Sequence, residues 1–391
     1  IEAVMEIAPE FSGPMKTFFA EPHIREVAMP FMKATGSYFR NVLNAHKEGK
    51  KIAWVNFNFV PAILYAMDVV PLSPEVISSF QTMLPGGANE AIDYCKEIGM
   101  PETMCTAQMG GVGTMLRGLT EKPDMALNAA SGSCDTNSKN FEFLSEYLHI
   151  PFCNIDAPPY YDEGGPMTEY YRAEFKKLVS FLEEQTGNKL DEGRLREVCK
   201  EVKKQDEYIA EIYELRKAVP NPLPAVFNLI LFGTRFTTAG TPEATEVLKI
   251  MYEVTKGRYK RGEGVLPEER VRAGFCYLSH FGGGGEFWRW LEHNGISLVI
   301  EALALFNHQH YRIDTSTVDT MLDSLADQSS NMPMSKQIRG PYDYPEQWYD
   351  DVVTCGKDLK MDCAIYLGTM GCKNTWGCIK VLMKKLEEDL G

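Results

Sequence analysis

The sequence predicts an α/β protein made of two parallel-sheet halves with a helical connector between them. Three observations lead there. Short apolar runs alternate with helix-period segments in the first half. Two long amphipathic patterns occupy the middle. The alternating rhythm then resumes towards the end. Strand–helix–strand units with short joins imply parallel strands, because a parallel pair needs a crossover connection.

In the first half, Lys51 to Phe57 is a short apolar run after the charged segment His46 to Lys50, and it reads as a strand. Asp124 to Ala130 is a second strand. Pro151 to Asp156 is a third, closed by Ala157-Pro158-Pro159. Between the last two, Ser138 to Leu148 carries Phe141, Phe143, Leu144 and Leu148 and reads as a crossover helix.

The middle is helical. Thr168 to Glu184 places Tyr171, Phe175, Leu178 and Leu182 at helical spacing, and Gly187 suits the stop. A second helix begins near Asp191, with Leu195, Val198, Val202, Ile209 and Ile212 on one stripe. Pro220, Pro222 and Pro224 end it. Such stripes serve a core far more often than a cofactor. In the second half, Val271 to Leu278, Ile296 to Ile300 and Cys363 to Leu367 are strands. Glu286 to His293 and Trp376 to Leu390 are helices. No repeat of 20–50 residues is visible. The expected units are an N-terminal α/β domain over 1–165, a connector over 166–230 and a C-terminal α/β domain over 231–391.

The chain has 391 residues, enough for two domains or one large one. It carries 40 basic and 54 acidic residues, a formal charge of −14, which disfavours a general nucleic-acid binder. Hydrophobic residues at 44% and charged residues at 24% match a folded globular protein and argue against disorder. No apolar run reaches the roughly 18 residues of a membrane span. Residues 1–19 lack the pattern of a secretory signal, so the expected location is cytoplasmic, with no membrane partner. The chain opens on Ile1 without an initiator Met, so its natural start is expected upstream.

Ten cysteines remain to be explained. No Cys-x-x-Cys pair occurs, which argues against zinc ribbons, ferredoxin-type clusters and thioredoxin-like redox. Any cluster must gather its ligands from distant segments. Cys105 lies in Pro101 to Gln108. Cys134 follows the strand ending at Ala130, in Ser131-Gly132-Ser133-Cys134-Asp135. Cys372 follows the strand ending at Leu367, in Gly368-Thr369-Met370-Gly371-Cys372-Lys373. Each sits where a strand or loop meets a helix. Open α/β sheets bind ligands beyond strand carboxyl ends, and helix starts favour anions such as a thiolate-bound cluster. Glycines nearby allow close backbone approach. The competing reading is that each cysteine simply packs at a strand end. Cys95, Cys153, Cys199, Cys276 and Cys363 lie in apolar or helical stretches and read as core. Cys355 and Cys378 are ambiguous.

Other motifs carry less. Gly282 to Gly285 lacks the spacing of a dinucleotide fingerprint, and there is no phosphate loop and no Gly-x-Ser-x-Gly elbow. That run reads equally as an active-site turn or a plain turn. His308 and His310 sit on an apolar-to-polar segment, where histidines serve structure more often than metal binding or proton transfer.

The three cysteine contexts resemble the 2-hydroxyacyl-CoA dehydratase and benzoyl-CoA reductase family, over about Lys47 to Gly391. The carriers are Lys50 to Trp54, Val70 to Glu75, Glu102 to Cys105, and Asp124 through Cys134 to Tyr160. Gly371-Cys372-Lys373 and its helix complete them. The likeness is greatest to the larger dehydratase subunit and its reductase counterpart. It implies two flavodoxin-like (Rossmann-like) halves. It also implies one [4Fe-4S] cluster per chain, held by Cys105, Cys134 and Cys372, with the fourth iron open.

By the same resemblance, the protein would be a dehydratase (lyase) subunit in a heterodimer of anaerobic metabolism. It would remove water from a 2-hydroxyacyl-CoA by a radical mechanism. A homologous second subunit with its own cluster and an ATP-hydrolysing iron–sulfur activator would be partners, and an acyl-CoA thioester the substrate. The alternative within the family is an ATP-dependent benzoyl-CoA reductase (oxidoreductase) subunit. A double-cubane reductase would need further paired cysteines. Outside it stands an electron-transfer or scaffold subunit with no substrate site. The cluster is expected in the cleft between halves, with Asn56, Ser133 and the Gly282 to Gly285 loop near substrate and no general base assigned. In the family a further strand and helix follow the last helix, so the natural chain is expected to continue past Gly391.

Overall fold

The computed structural model describes residues 21–391 except 58, 60, 83–85, 130–133, 157–165, 278–285, 303–311, 333–334, 336–344 and 369–371. Its first sheet has strands β1 (Ile52–Val55), β2 (Val70–Leu72), β3 (Met125–Asn128) and β4 (Phe152–Asn154). They lie in the order β2-β1-β3-β4, all parallel. Side-chain alternation divides β1 between two cores. Ile52 and Trp54 join Val70, Leu72 and Ala126 on one face. Ala53 and Val55 join Met125 and Leu127 on the other. All four β1 residues are buried, as a sheet covered on both faces requires.

Helix α1 (Pro22–Asn44) precedes β1. Short α2 (Ala62–Ala66) leads to β2, and α3 (Pro74–Gln81), α4 (Asn89–Glu97) and α5 (Thr106–Leu116) join β2 to β3. Helix α6 (Asp135–Leu148) crosses from β3 to β4. The strand β2 was not among the sequence expectations, because Pro71 interrupts its apolar run. Its place at the sheet edge explains the tolerance: proline cannot donate to a ladder, but an edge leaves one side of the strand without a neighbour.

Four helices follow: α7 (Pro166–Thr186), α8 (Glu192–Arg216), α9 (Val226–Thr238) and α10 (Pro242–Lys260). The predicted stripe of α8 is buried at Leu195, Val198, Val202, Ile209 and Ile212, and Asp191 caps it by accepting from Arg194 N–H at 2.7 Å. The four helices share one core with one face of the first sheet. At its centre, Asp206 pairs with Arg235 at 2.8 Å and accepts from Gln328 Nε2 at 2.9 Å.

The second sheet contains β5 (Val271–Phe275), β6 (Ile296–Glu301) and β7 (Cys363–Ile365), parallel, in the order β6-β5-β7. Helix α11 (Glu286–His293) joins β5 to β6. Helices α12 (Val318–Ser330) and α13 (Pro345–Asp358) precede β7, and α14 (Lys373–Leu390) follows it. The expected strands thus form, within one to three residues at their ends. Both sheets place their first strand between the second and the third, the arrangement of a flavodoxin-like half.

Candidate functional site

The three expected cysteines share one local geometry. Cys105 is the N-cap of α5, Cys134 of α6 and Cys372 of α14. Each has extended backbone, with φ/ψ of −60°/120°, −121°/106° and −102°/104° respectively. None of the three side chains makes a capping hydrogen bond. An N-cap normally offers an oxygen to the orphan amides of the first turn. A sulfur there leaves those amides facing an anion site. Burial raises the Cys105 thiol pKa and the Gln108 and Ala107 amides only partly offset that rise, as the Asn137 amide does for Cys134.

The three cysteines come from segments attached to both sheets. Burial pushes the Cys105 thiol up to about 11, with Glu75 and Cys372 adding to the rise. Burial pushes Cys134 up to about 12, with Cys105, Cys372 and Glu75 adding to it. Each of these thiols thus feels the next one. Among the described residues, no three His, Cys, Asp or Glu side chains converge on a point where one ion could sit. Three cysteines that each cap a separate helix would suit a polynuclear group, in which each thiolate takes a different metal atom.

Behind Cys105 and Cys134 lies a buried polar network. Ser73 Oγ donates to Glu75 Oε2 at 2.8 Å. Gln108 Nε2 donates to both Glu75 Oε1 and Asn137 Oδ1. Asn140 Nδ2 donates to Gln108 Oε1 at 3.3 Å. All five residues are buried. Burial lifts the Glu75 carboxyl to about 7, against hydrogen bonds from Ser73 and Gln108 that lower it.

Three glycines bring α5 close enough for these contacts. A Cβ on Gly110 would overlap Ser78. One on Gly111 would overlap the Pro74 backbone, and one on Gly113 the Ala91 carbonyl. The face of α5 is therefore stripped to backbone where it meets α3 and α4.

Other expectations land as follows. Cys95, Cys199 and Cys276 are buried core residues, and Cys153 packs partly buried against the core. Cys363 corrects its expectation: it is exposed, because β7 forms the edge of its sheet and presents that face outward. Cys355 is partly buried and packs beside Tyr213. Asn56 closes β1, fully buried, with Oδ1 accepting from Ala129 N–H at 3.1 Å, so it ties the ends of β1 and β3 together. Ser133, the Gly282 to Gly285 run, His308, His310 and the Cys378 side chain lie outside the described residues. Sequence reasoning missed Gln108 and Asn137 and noted Glu75 only within a motif. One signal was available: Gln108 and Asn137 each stand three residues after a candidate cysteine.

No described helix is long and apolar enough to cross a membrane. A family model described as "2-hydroxyglutaryl-CoA dehydratase, D-component" matches residues 57–391. The chain is 24% identical over 284 residues to the (R)-phenyllactyl-CoA dehydratase alpha subunit of Clostridium sporogenes, covering 70% of this chain and 65% of that protein. It is 26% identical over 302 residues to one of the benzoyl-CoA reductase subunits of Thauera aromatica, covering 71% and 68%. It is 22% identical over 277 residues to the (R)-2-hydroxyglutaryl-CoA dehydratase alpha subunit of Acidaminococcus fermentans, covering 69% and 54%. The matched stretch thus spans about two thirds or less of the dehydratase subunits.

Proposed function

This chain belongs to the 2-hydroxyglutaryl-CoA dehydratase D-component family, and from that premise we propose that it is the iron–sulfur subunit of a 2-hydroxyacyl-CoA dehydratase. Cys105, Cys134 and Cys372 hold one [4Fe-4S] cluster. The observation that supports this is that three cysteines drawn from two sheets each cap a helix N-terminus, with Cys105 and Cys372 near enough to Cys134 for their charges to act on its thiol. When bound, such a cluster supplies one electron to the thioester carbonyl, so that the substrate can expel its adjacent hydroxyl and its β-proton becomes acidic before the electron returns.

The chain's own residues do the rest. The helix N-termini of α5 and α6 direct first-turn amides at Cys105 and Cys134, and all three helix starts favour negative charge at the cysteines that cap them. Cys105 and Cys134 are partly buried, which limits the access of water to the sulfurs. Three protein ligands leave one metal position for a substrate oxygen. The relatives are named as subunits, and we assign this chain a homologous partner subunit with its own cluster. An ATP-hydrolysing iron–sulfur activator delivers the electron. The setting we assign is an anaerobic cytoplasm.

A second reading is favoured by the likeness to the benzoyl-CoA reductase of Thauera aromatica: the electrons then stay in a reduced aromatic ring. Purification without oxygen, iron and sulfide assay, and turnover of a panel of acyl-CoAs with activator and ATP decide the matter. Catalytic amounts of electrons with a 2-hydroxyacyl-CoA support the dehydratase. Two electrons per turnover with an aromatic acyl-CoA support the reductase. A cluster whose spectrum is unmoved by any acyl-CoA would instead mark an electron-transfer or scaffold subunit.

A further inference from the structure

We infer that Gln108 is a positioning residue that sets the separation between Cys105 and Cys134, with Glu75 as its anchor; this rests on the ligand assignment above. The argument begins with the two helix starts. Gln108 and Asn137 are each the third residue after a capping cysteine, and their backbone amides face the Cys105 and Cys134 sulfurs respectively. Their side chains are bonded to one another, Gln108 Nε2 donating to Asn137 Oδ1. The amide that faces one sulfur is thereby tied, through a side-chain pair, to the amide that faces the other. Helices α5 and α6 cannot slide or rotate relative to each other without stretching that link.

The link is also complete. A primary amide has two N–H groups and one carbonyl oxygen. The Gln108 nitrogen serves Glu75 Oε1 and Asn137 Oδ1, and its oxygen accepts from Asn140. The residue is 2% exposed, so water does not compete for these bonds. Glu75 stands on the neighbouring helix α3 and is held by Ser73. The glycine face of α5 presses the two helices together where this carboxyl meets Gln108. A buried carboxyl is costly to retain in a place where a leucine would pack. Here it is the acceptor that orients Gln108 towards Asn137. Residues that orient metal ligands in this way commonly matter as much as the ligands.

The test uses the full chain, purified without oxygen and reconstituted with iron and sulfide. Iron release to a chelator and the electron paramagnetic resonance spectrum of the reduced protein are read for wild type, Gln108→Met, Glu75→Leu, Glu75→Gln and Asn140→Ala. Gln108→Met and Glu75→Leu should release iron at least about ten-fold faster than wild type and broaden the resonance lines. Glu75→Gln keeps a carbonyl oxygen for the Gln108 amide and should restore wild-type behaviour. Asn140→Ala removes only the bond to the Gln108 oxygen and should give an intermediate rate, which keeps the test open if Gln108→Met does not fold.

Val112→Ala, on the same helix and buried but outside the network, controls for lost packing. It should lower stability without altering the spectrum. Wild-type release rates and spectra in every network variant that folds, with Cys105→Ala devoid of iron, would overturn this inference alone. Full iron in Cys105→Ala would overturn the ligand assignment, and this inference with it.

Discussion

Cys134 and Cys372 hold equivalent places in two different sheets: each follows the third strand of its half and caps the helix that comes next. In each half the third strand lies beside the first, on the side opposite the second. That is the switch point, where adjacent crossovers leave in opposite directions and the strand ends stay open to a ligand. Each half thus places one cysteine at its switch point. Cys105, from the connection between β2 and β3, adds a third.

Removing either equivalent sulfur should empty the centre. Cys134→Ser and Cys372→Ser are expected to lose most of their iron and sulfide while keeping wild-type far-ultraviolet circular dichroism. Cys355→Ser and Cys363→Ser should keep a full complement. Iron retained at the wild-type level in the first pair would rule out the assignment.

The glycine face of α5 gives a stability prediction. Gly111→Ala places a methyl on the Pro74 backbone and should cost about 1–3 kcal/mol, as overpacking usually does. Gly377 in α14 meets nothing within 4 Å. Gly377→Ala should therefore stabilise by about 0.5–1 kcal/mol through helix propensity. Urea unfolding of both variants measures the contrast.

The ion pair inside the helical layer should be costly to break. Asp206 is buried beside Arg235, whose side chain is 1% exposed, and beside Gln328. Asp206→Ala removes the carboxylate paired with a buried guanidinium and should destabilise by about 3–5 kcal/mol. Asp206→Asn, which keeps an acceptor oxygen, should cost less. Denaturant midpoints decide.

A pH signature should come from the pairing of β1 with β3. Asp124 accepts from Ile52 N–H at 2.8 Å and lies 3.0 Å from His46 Nε2 and 2.9 Å from Lys51 Nζ. Burial lowers the His46 pKa, but hydrogen bonds to Asp124 and Glu121 outweigh it and hold it above 6.5. Burial raises Asp124, but Ile52, Lys51 and His46 hold it below 3.8. The His46 contribution is complete below pH 6.5 and is lost as pH climbs through the raised value. The Asp124 contribution is complete above pH 3.8 and is lost as pH falls through the lowered value. The gap in urea midpoint between wild type and Asp124→Asn should be widest from pH 3.8 to 6.5 and narrow on both sides.

Local signals along the chain specified much. Apolar runs such as Ile52 to Val55 mark strands, and stripes such as Leu195 to Ile212 mark helices, because periodicity is set by the nearest few residues. The strand-to-helix settings of Cys134 and Cys372 are local in the same sense. Other features depended on contacts between residues far apart in the chain. Pro71 hid a strand that only its edge position allows. Cys363 looked buried until the strand order placed it on an edge. The Glu75–Gln108–Asn137 network joins three helices, and its side-chain bonds exist only once α5 has packed on α3 and α6. Nothing in a single helix's spacing encodes such a bond, since it depends on where a distant acceptor comes to rest. The order of residues was enough for the kind of elements and for the three candidate sulfurs. Long-range packing built the polar network behind two of those sulfurs.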